Sequence, residues 1–261
     1  MGTYINTDDY WEIDFNDNFE EQLKRALANA QSLERVQIYG YNLKKSQEKQ
    51  LKEYIRQVYN ELILKYKAIE LRFYAFENKP FDMDWIADLS EIENLQIESW
   101  GEILHIEKLA NFPNLQKLHL DFGLKMKGDL EFLKLVNPHL QTLYIRAAEK
   151  KAKVDLMPIT HFKSLKGLWV MYFEKNLDNV LTELTELQWL RLRSISGYKD
   201  LAFIGHLQDL SYLGVEFCGF EDLSAVASLK NLTAINLFRL LKVDTLDFMS
   251  ELHKLTNITI D

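Results

Sequence analysis

Residues 210–260 read LSYLGVEFCGFEDLSAVASLKNLTAINLFRLLKVDTLDFMSELHKLTNITI and contain one apolar pattern three times. In each copy, aliphatic residues stand at offsets 0, +3 and +5 from a starting leucine. The copies are Leu210/Leu213/Val215, Leu232/Ile235/Leu237 and Leu255/Ile258/Ile260. Their starts lie 22 and 23 residues apart. A fixed period of this size indicates a solenoid, in which each unit buries its apolar side against its neighbours.

The same triad continues toward the N-terminus, with further starts at residues 33, 68, 92, 115, 140, 165 and 187. A second apolar set with a spacing of three precedes most triads, as in Leu223/Val226/Leu229. That spacing suits a 3₁₀ or short α-helical turn with one buried edge. Each repeat is therefore predicted to be a short strand, a turn and a short helical segment.

The LxxLxL pattern at this period resembles the leucine-rich repeat family, and the helical segments resemble those of bacterial internalin-like repeats. The resemblance covers roughly residues 65–261 and implies an α/β horseshoe solenoid. Its parallel β-sheet would form the concave face and its short helical or 3₁₀ segments the convex face. The family's usual Asn or Cys, three residues after the triad, is mostly replaced here. That position holds Tyr41, Phe76, Trp100, Gly123, Ala148, Phe173, Ile195, Cys218 and Leu240, so apolar groups are expected to replace the polar ladder.

One continuous domain is predicted, with residues 1–66 as an N-terminal cap that includes degenerate first repeats and residues 67–261 as the repeats. Trp11, Ile13 and Phe15 alternate with acidic residues, as in a half-buried strand. Two longer helices are expected to follow, the first capped by Asn16 or Asp17 and the second over about 46–66, capped by Ser46. They would hide the open end of the solenoid, or alternatively serve as a partner-binding arm. After the last triad we expect no capping segment, which would leave an exposed strand edge.

The composition, 47% hydrophobic with a formal net charge of −8, is that of a globular protein. No apolar run approaches the roughly 18–20 residues of a membrane span, and the N-terminus lacks a signal-peptide layout. A lone cysteine, Cys218, excludes an intramolecular disulfide and favours a buried structural thiol in a reducing compartment. The cytoplasm is therefore the expected location, and the resemblance to internalin-like repeats implies a bacterial source.

Side chains alternate along a strand, so residues at offsets +2, +4 and +6 should face away from the core. In the central repeats these positions are rich in Trp, Tyr and Arg, the residues enriched at binding hot spots. The candidate partner-binding residues are Tyr144, Arg146, Trp169, Met171, Trp189, Arg191, Arg193, Tyr212, Glu216 and Phe238. The arginines would pair with carboxylates of a partner. Alternatively, the aromatic rings pack on one another or lie under a neighbouring loop.

Other classes of function find little support. No phosphate-binding loop, nucleophile motif or metal-spaced Cys/His set is present, so we expect no enzyme activity, no cofactor and no metal. His119 and Asp121 share a strand face without a nucleophile, and the Asp82-x-Asp84 pair is expected to cap a helical turn. The sequence pI near 5.4 argues against nucleic acid. Nothing favours a membrane partner.

The sequence thus predicts a protein–protein interaction module that binds through its concave face, as an adaptor or scaffold, or as an immunity or inhibitor protein. A partner with an acidic surface would suit the arginines. A monomer is expected. The alternative is a structural subunit that assembles through the C-terminal edge.

Overall fold

The computed structural model describes residues 9–15, 17–40, 44–76, 80–123, 129–149 and 153–261. The chain forms two compact units. The first comprises Met1–Lys127 and Leu135–Asn137, and the second comprises Gly128–Lys134 and Pro138–Asp261. This division follows contact density, whereas the predicted boundary near residue 66 separates a cap from the repeats. That boundary stays a prediction.

In the first unit, five parallel strands lie in the order β1, β2, β3, β5, β7. A further parallel pair, β4 with β6, forms a separate small sheet. Two α-helices, α1 and α2, precede β2 and β3, and the second continues into a π-helical turn at Tyr59–Ile63. The bounds are β1 Tyr10–Glu12, α1 Phe19–Ala28, β2 Arg35–Tyr39, α2 Glu48–Val58, β3 Glu70–Tyr74, β4 Phe81–Asp82, β5 Asn94–Ser99, β6 Ile103–Leu104 and β7 Lys117–Phe122.

In the second unit, six parallel strands lie side by side in chain order. They are β8 Thr142–Ala147, β9 Gly167–Met171, β10 Trp189–Arg193, β11 Tyr212–Glu216, β12 Ala234–Phe238 and β13 Asn257–Ile260. Between strands the chain returns through one short helix, α3 (Leu177–Glu183), or through 3₁₀ segments. Within the described ranges, the 3₁₀ segments of both units are Lys45–Gln47, Met83–Trp85, Ile106–Asn111, Glu131–Leu135, Met157–His161, Ala202–Ile204, Ser224–Ser228 and Asp247–Glu251. The predicted strand, turn and helical segment is therefore confirmed.

The triads form the core of each unit, because eight of the ten are buried at all three positions. Each buried Leu, Ile or Val contributes about 1.5–3 kcal/mol. The expectation that every triad residue is buried is wrong in two of the triads. Ala68 is exposed and Ile69 is buried instead. The last triad also differs, since Ile258 and Ile260 are 54% and 52% exposed.

The position that holds Asn in related repeats is apolar and buried in several units, as predicted. Phe76, Phe173, Ile195 and Cys218 occupy it there. The substitution is not general, because Trp100 and Ala148 are exposed, and Tyr41 lies outside the described residues. Gly123 is required at its position for another reason: a Cβ atom there would lie 2.3 Å from the Cα of Trp100.

The first helix begins later than predicted. Asn18 caps α1, its side-chain oxygen accepting the N–H groups of Glu20 at 3.0 Å and Glu21 at 3.4 Å. Asp17, one predicted cap, instead accepts the N–H of Asn18 at 2.8 Å. The other, Asn16, lies outside the described residues. A short polar side chain is a good cap wherever the backbone turns, so the sequence could not separate these neighbours.

The second helix is shorter than the predicted 46–66. Ser46 lies inside the 3₁₀ segment Lys45–Gln47, and α2 starts at Glu48 without a side-chain cap. Its Tyr54 stacks on Phe19 of α1 with ring centroids 3.7 Å apart, which ties the two helices together. Strand β1 pairs in parallel with β2 and buries Trp11, which agrees with the half-buried strand expected there; its origin as a degenerate first repeat stays a prediction.

Four strands of the second unit, β9 to β12, end in a recurrent left-handed turn. Tyr172, Ser194, Phe217 and Arg239 follow β9 to β12 at one register, with φ of 67°, 56°, 53° and 50°. The backbone N–H of Ser194 donates to the Glu216 carbonyl at 2.9 Å, and that of Phe217 to the Phe238 carbonyl at 2.9 Å. The N–H group of each turn residue thus donates to a carbonyl of the next repeat, so consecutive repeats change direction at the same position.

Among the described residues, no helix has both the length and the apolar character needed to cross a bilayer.

Candidate functional site

The strand register of the second unit places the ten candidate residues on the face of the sheet opposite the core, here called the open face. Three rows cross β8 to β12 there. The rows are Thr142, Gly167, Trp189, Tyr212 and Ala234; then Tyr144, Trp169, Arg191, Gly214 and Asn236; then Arg146, Met171, Arg193, Glu216 and Phe238. Nine of the ten candidates are half-buried and Glu216 is buried. Their predicted placement on one face is confirmed, whereas their role in binding stays a prediction.

Four aromatic side chains make a continuous cluster on this face. The ring of Tyr144 packs edge-on against Trp169 at 5.8 Å and tilted against Trp189 at 5.5 Å. Trp189 in turn stacks on Tyr212 at 5.4 Å with an interplanar angle of 13°. The alternative expectation, that the rings pack on one another, is therefore confirmed; each ring still keeps an exposed fraction, and the binding role stays a prediction. We call Tyr144, Trp169, Trp189 and Tyr212 the aromatic cluster.

A glycine gives this cluster room. A Cβ atom on Gly214 would lie 3.1 Å from the Tyr212 hydroxyl oxygen and 3.0 Å from Cγ of Arg191. Both side chains therefore lie across the bare backbone of Gly214. Arg191 also places its guanidinium 4.8 Å from the ring centroid of Trp169. Since a cation over a tryptophan face is attracted by the ring quadrupole, this contact fixes both groups.

Arg191 and Arg193 already pair with a carboxylate of this chain. The sequence alone predicts pairing with carboxylates of a partner. Arg191 and Arg193 both form ion pairs with the buried Glu216, at 2.6 and 3.0 Å. Asn236 donates to the same carboxylate at 3.0 Å. Two positive charges against one negative charge leave this group with a net charge of +1. The sequence could not show the pairing, because it depends on which rows meet across the strands.

A second group of rings and cations lies at the ends of β10 to β12, and the sequence missed half of it. Phe217 packs on Phe238 at 5.1 Å. Arg193 lies 4.8 Å from the Phe217 centroid, and Arg239 lies 5.6 Å from both rings. Phe217 and Arg239 occupy the left-handed turn position one residue beyond the strand. Their offset of +7 from the triad start could have identified them as neighbours of the face.

The open face of the first unit is built differently, as a network of polar side chains with one ring pair, Tyr39 and Tyr74, whose centroids lie 5.1 Å apart. Arg72 donates to Glu98 at 2.7 Å and to Gln37 at 3.1 Å. Gln37 donates onward to Glu12 at 3.0 Å, and the Tyr74 hydroxyl donates to the same carboxylate. Polar groups that satisfy one another in this way gain less from a partner than half-exposed aromatic rings do.

A buried carboxylate, Glu70, anchors a further charge cluster on the first unit. It pairs with Arg35 at 2.8 Å and with Lys117 at 2.7 Å. Burial by itself would raise the pKa of Glu70, but the hydrogen bonds and charges of Lys117 and Arg35 outweigh burial and lower it. The carboxylate is therefore ionised at neutral pH and stabilises the folded unit.

Cys218 is a buried structural thiol, as predicted. Its Sγ donates to the carbonyl of Glu216 at 3.2 Å and contacts that of Leu192 at 3.5 Å. Burial raises the pKa of this thiol to about 12. Because the thiolate is the nucleophilic form, Cys218 has no reactive character at neutral pH.

The structure brings His105 next to the Asp82-x-Asp84 pair, which sequence reasoning had not joined to it, and the three side chains are potential metal ligands. Asp82 also fills its predicted capping role, accepting the N–H of Asp84 at 2.9 Å. The missed signal was the repeat period, because Asp82 and His105 each lie ten residues before a triad start. The other predicted pair, His119 and Asp121, lies on β7 of the first unit.

Comparisons with solved structures identify the architecture. An internalin (InlF) from Listeria monocytogenes aligns over 90% of this chain with a TM-score of 0.53 and 18% sequence identity. The chain has a leucine-rich repeat fold. The alignment spans 63% of the length of that internalin. Internalin C2 of the same organism has 16% identity, covers 90% of this chain and 84% of its own, and has a TM-score of 0.44. A leucine-rich repeat protein of Leptospira interrogans has 14% identity, covers 92% and 86%, and also has a TM-score of 0.44.

No model of a known family matches the sequence, and a search of curated proteins found no match. The predicted leucine-rich repeat solenoid with a parallel sheet and short helical segments is nevertheless confirmed by the structural alignment. The open face of the second unit, where four half-exposed rings pack together, is the candidate site.

Proposed function

We propose that this protein binds a partner protein through the open face of its second unit. The observation that carries the proposal is the aromatic cluster, four touching rings that remain half-exposed on one sheet face. Large rings exposed together are costly in water and usually mark an interaction surface. The equivalent face of the first unit carries one ring pair, Tyr39 and Tyr74, among hydrogen-bonded polar groups, so the four-ring cluster is a local feature of the second unit.

Binding would use rings that are already ordered. Each ring is held by its neighbours, and the guanidinium of Arg191 lies over Trp169. Fixing a flexible side chain at an interface costs about 0.5–1.5 kcal/mol. A cluster that is ordered before the partner arrives avoids part of this cost. The mechanism is therefore recognition by a preformed surface, in which Trp and Tyr contribute buried area.

The charge beside the rings favours carboxylates on the partner. Arg191 and Arg193 share Glu216, so the group keeps a net positive charge on a chain with a formal charge of −8. Charge complementarity at the edge of an interface mainly sets orientation and association rate. An acidic segment of a partner would meet these arginines while its apolar groups cover the rings.

The test is affinity capture from the native extract with matched baits, followed by titration of the captured protein. We expect Trp189→Ala to weaken binding by at least about 2 kcal/mol, since central tryptophans dominate many interfaces. Trp100→Ala is the matched control, because Trp100 is exposed on the first unit, outside this face. Equal binding by the folded Trp189→Ala variant and the wild type would contradict the proposal.

Two roles remain within this proposal: an adaptor or scaffold, and an immunity or inhibitor protein. They differ in what happens to the partner. An inhibitor would abolish an activity of the captured protein at a one-to-one ratio, whereas an adaptor would leave that activity in place and join it to a third component. A reducing compartment is part of the proposal and is supported by the single buried thiol, Cys218.

Self-assembly through β13 is the second candidate. Ile258 and Ile260 on this strand are about half exposed, and Leu241 is 93% exposed. A strand that shows both apolar side chains and an open edge is a template for another chain. Light scattering tests it across a concentration series. A monomer at every concentration rejects self-assembly, whereas a dimer lost in Ile258→Thr/Ile260→Thr supports it.

A further inference from the structure

Asp82, Asp84 and His105 converge on the surface of the first unit, at the same place in two consecutive repeats. Asp82 is the last residue of β4, Asp84 lies in the 3₁₀ segment Met83–Trp85, and His105 follows β6 directly. Strands β4 and β6 are paired, with Asp82 opposite Leu104. The backbone that carries all three side chains is therefore fixed by the fold.

The distances between the three side chains suit a small cation. His105 Nδ1 lies 2.9 Å from Asp82 Oδ1 and 3.7 Å from Asp84 Oδ2, and one ligand atom from each residue lies within 4.8 Å of the others. A tetrahedral zinc ion with bonds of about 2.0–2.1 Å needs ligand atoms roughly 3.4 Å apart. The observed separations bracket that value, so small side-chain rotations would complete the geometry.

We propose that Asp82, Asp84 and His105 bind a divalent transition-metal cation of the zinc type. Imidazole is a preferred ligand of Zn²⁺, Ni²⁺ and Cu²⁺, whereas Mg²⁺ and Ca²⁺ prefer oxygen-only sites. Two carboxylates against the single positive charge of the neighbouring Lys108 leave the site negative. The side chains are 28%, 41% and 48% exposed in chain order. The ion would reach them from solvent and keep a water molecule as a further ligand.

Neighbouring groups already orient the ligands. Asp82 Oδ1 accepts the backbone N–H of Asp84 at 2.9 Å. Lys108 pairs with Oδ1 of Asp84, whereas the other oxygen of that carboxylate faces His105. Lys108 thus holds Asp84 without occupying the oxygen that would meet the metal. Partners that orient ligands in this way are a regular feature of metal sites.

Buried apolar side chains beneath the two aspartates support the site. Phe81 and Met83, which flank Asp82, are fully buried, and Phe81 packs against the ring of Trp85 at 5.4 Å. This packing keeps the two aspartates on a rigid turn. Rigid support is what distinguishes a site that can select a metal from acids that merely share a surface.

The proton is the competitor of the metal at this site. His105 forms a hydrogen bond with the Asp82 carboxylate, and this contact raises the pKa of His105 above its ordinary value. A ligand histidine must be neutral to bind a metal, which makes binding stronger as pH rises. The measurement should therefore be made in mildly alkaline buffer, which favours the neutral imidazole.

The test is isothermal titration calorimetry of the chelator-treated full chain with ZnCl₂ and, separately, with MgCl₂. We expect one Zn²⁺ per chain and much weaker Mg²⁺ binding. His105→Asn should weaken Zn²⁺ binding by at least about tenfold. Asparagine suits this position because His105 has a φ of 54°, a left-handed conformation that Asn tolerates. His253→Asn, which removes an exposed histidine of the second unit, should leave binding unchanged.

A second measurement separates a folded, bound protein from nonspecific association. Zinc at about 100 times its dissociation constant should raise the unfolding free energy by about 2.7 kcal/mol in the wild type, measured by urea denaturation, and far less in His105→Asn. Three results would overturn the proposal: no zinc binding by the wild type, equal zinc binding by His105→Asn, or magnesium binding as tight as zinc binding.

Discussion

Replacing Glu216 by Gln should destabilise the second unit by about 2 kcal/mol. Glu216 is 3% exposed and holds Arg191 and Arg193 at 2.6 and 3.0 Å, with Asn236 at 3.0 Å from the same carboxylate. Glutamine keeps the volume and can still accept hydrogen bonds. The substitution therefore removes the charge alone and leaves two guanidinium groups side by side without a counterion.

The magnitude follows from the burial of the two partners. Breaking a fully buried ion pair costs about 3–5 kcal/mol, whereas an exposed pair contributes about 0–1 kcal/mol. The arginine side chains are 28% and 33% exposed, so water solvates part of the freed charge. A value between the two limits, about 2 kcal/mol, is expected. With a urea m-value of about 3 kcal/mol/M, the denaturation midpoint should fall by about 0.7 M.

Urea denaturation followed by tryptophan fluorescence reports this transition, since Trp169 lies beneath Arg191. The matched control is Glu251→Gln, because Glu251 pairs with Lys230 at 3.2 Å and both side chains are more than half exposed. That variant should stay within about 0.5 kcal/mol of the wild type. If Glu216→Gln were equally harmless, the buried carboxylate would not be holding the arginines, and the preformed site proposed above would lose its basis.

Three further substitutions or treatments test other parts of the structure. Native Cys218 should react very slowly with iodoacetamide at about pH 8, because a pKa of about 12 leaves roughly one thiol in 10⁴ ionised; fast alkylation of the folded chain would argue against burial. Glu70→Gln should lower stability at neutral pH, and the difference from the wild type should shrink as pH falls below 4.5 toward the lowered pKa of the folded state. A difference independent of pH in acid denaturation curves would exclude a charge effect. Gly123→Ala should cost at least about 3 kcal/mol in urea denaturation, because its Cβ would lie 2.3 Å from the backbone of Trp100; wild-type stability would show that this turn relaxes.

The repeat made most of the architecture predictable. Apolar residues at three fixed offsets recur through the chain, and only a stack of short parallel strands buries all of them at once. The register followed from the same count. Trp189, Arg191 and Arg193 therefore fell on one face together with Tyr212, as expected. Periodicity carries this information because every repeat restates it.

The rest depended on contacts that no period encodes. The pairing of Arg191 and Arg193 with Glu216 joins neighbouring repeats through long side chains, whose rotamers the sequence leaves open. Asn18 caps α1 instead of the predicted Asn16 or Asp17. The sequence could not distinguish them, because all three side chains are suitable caps. Ile258 and Ile260 lie on the last strand of the sheet and are exposed. A pattern of apolar residues does not show whether a neighbouring element covers such a strand.

The left-handed turns that follow β9 to β12 separate two properties of the chain. The backbone turns at the same register position after each of these strands. Buried residues and turns therefore hold the backbone of the open face in a regular array of positions. Exchanging one side chain in that array alters what is displayed without moving the backbone of its neighbours. Single substitutions can therefore change which partner the surface binds while the backbone stays the same. Natural selection, or protein engineering, can alter such a surface one residue at a time.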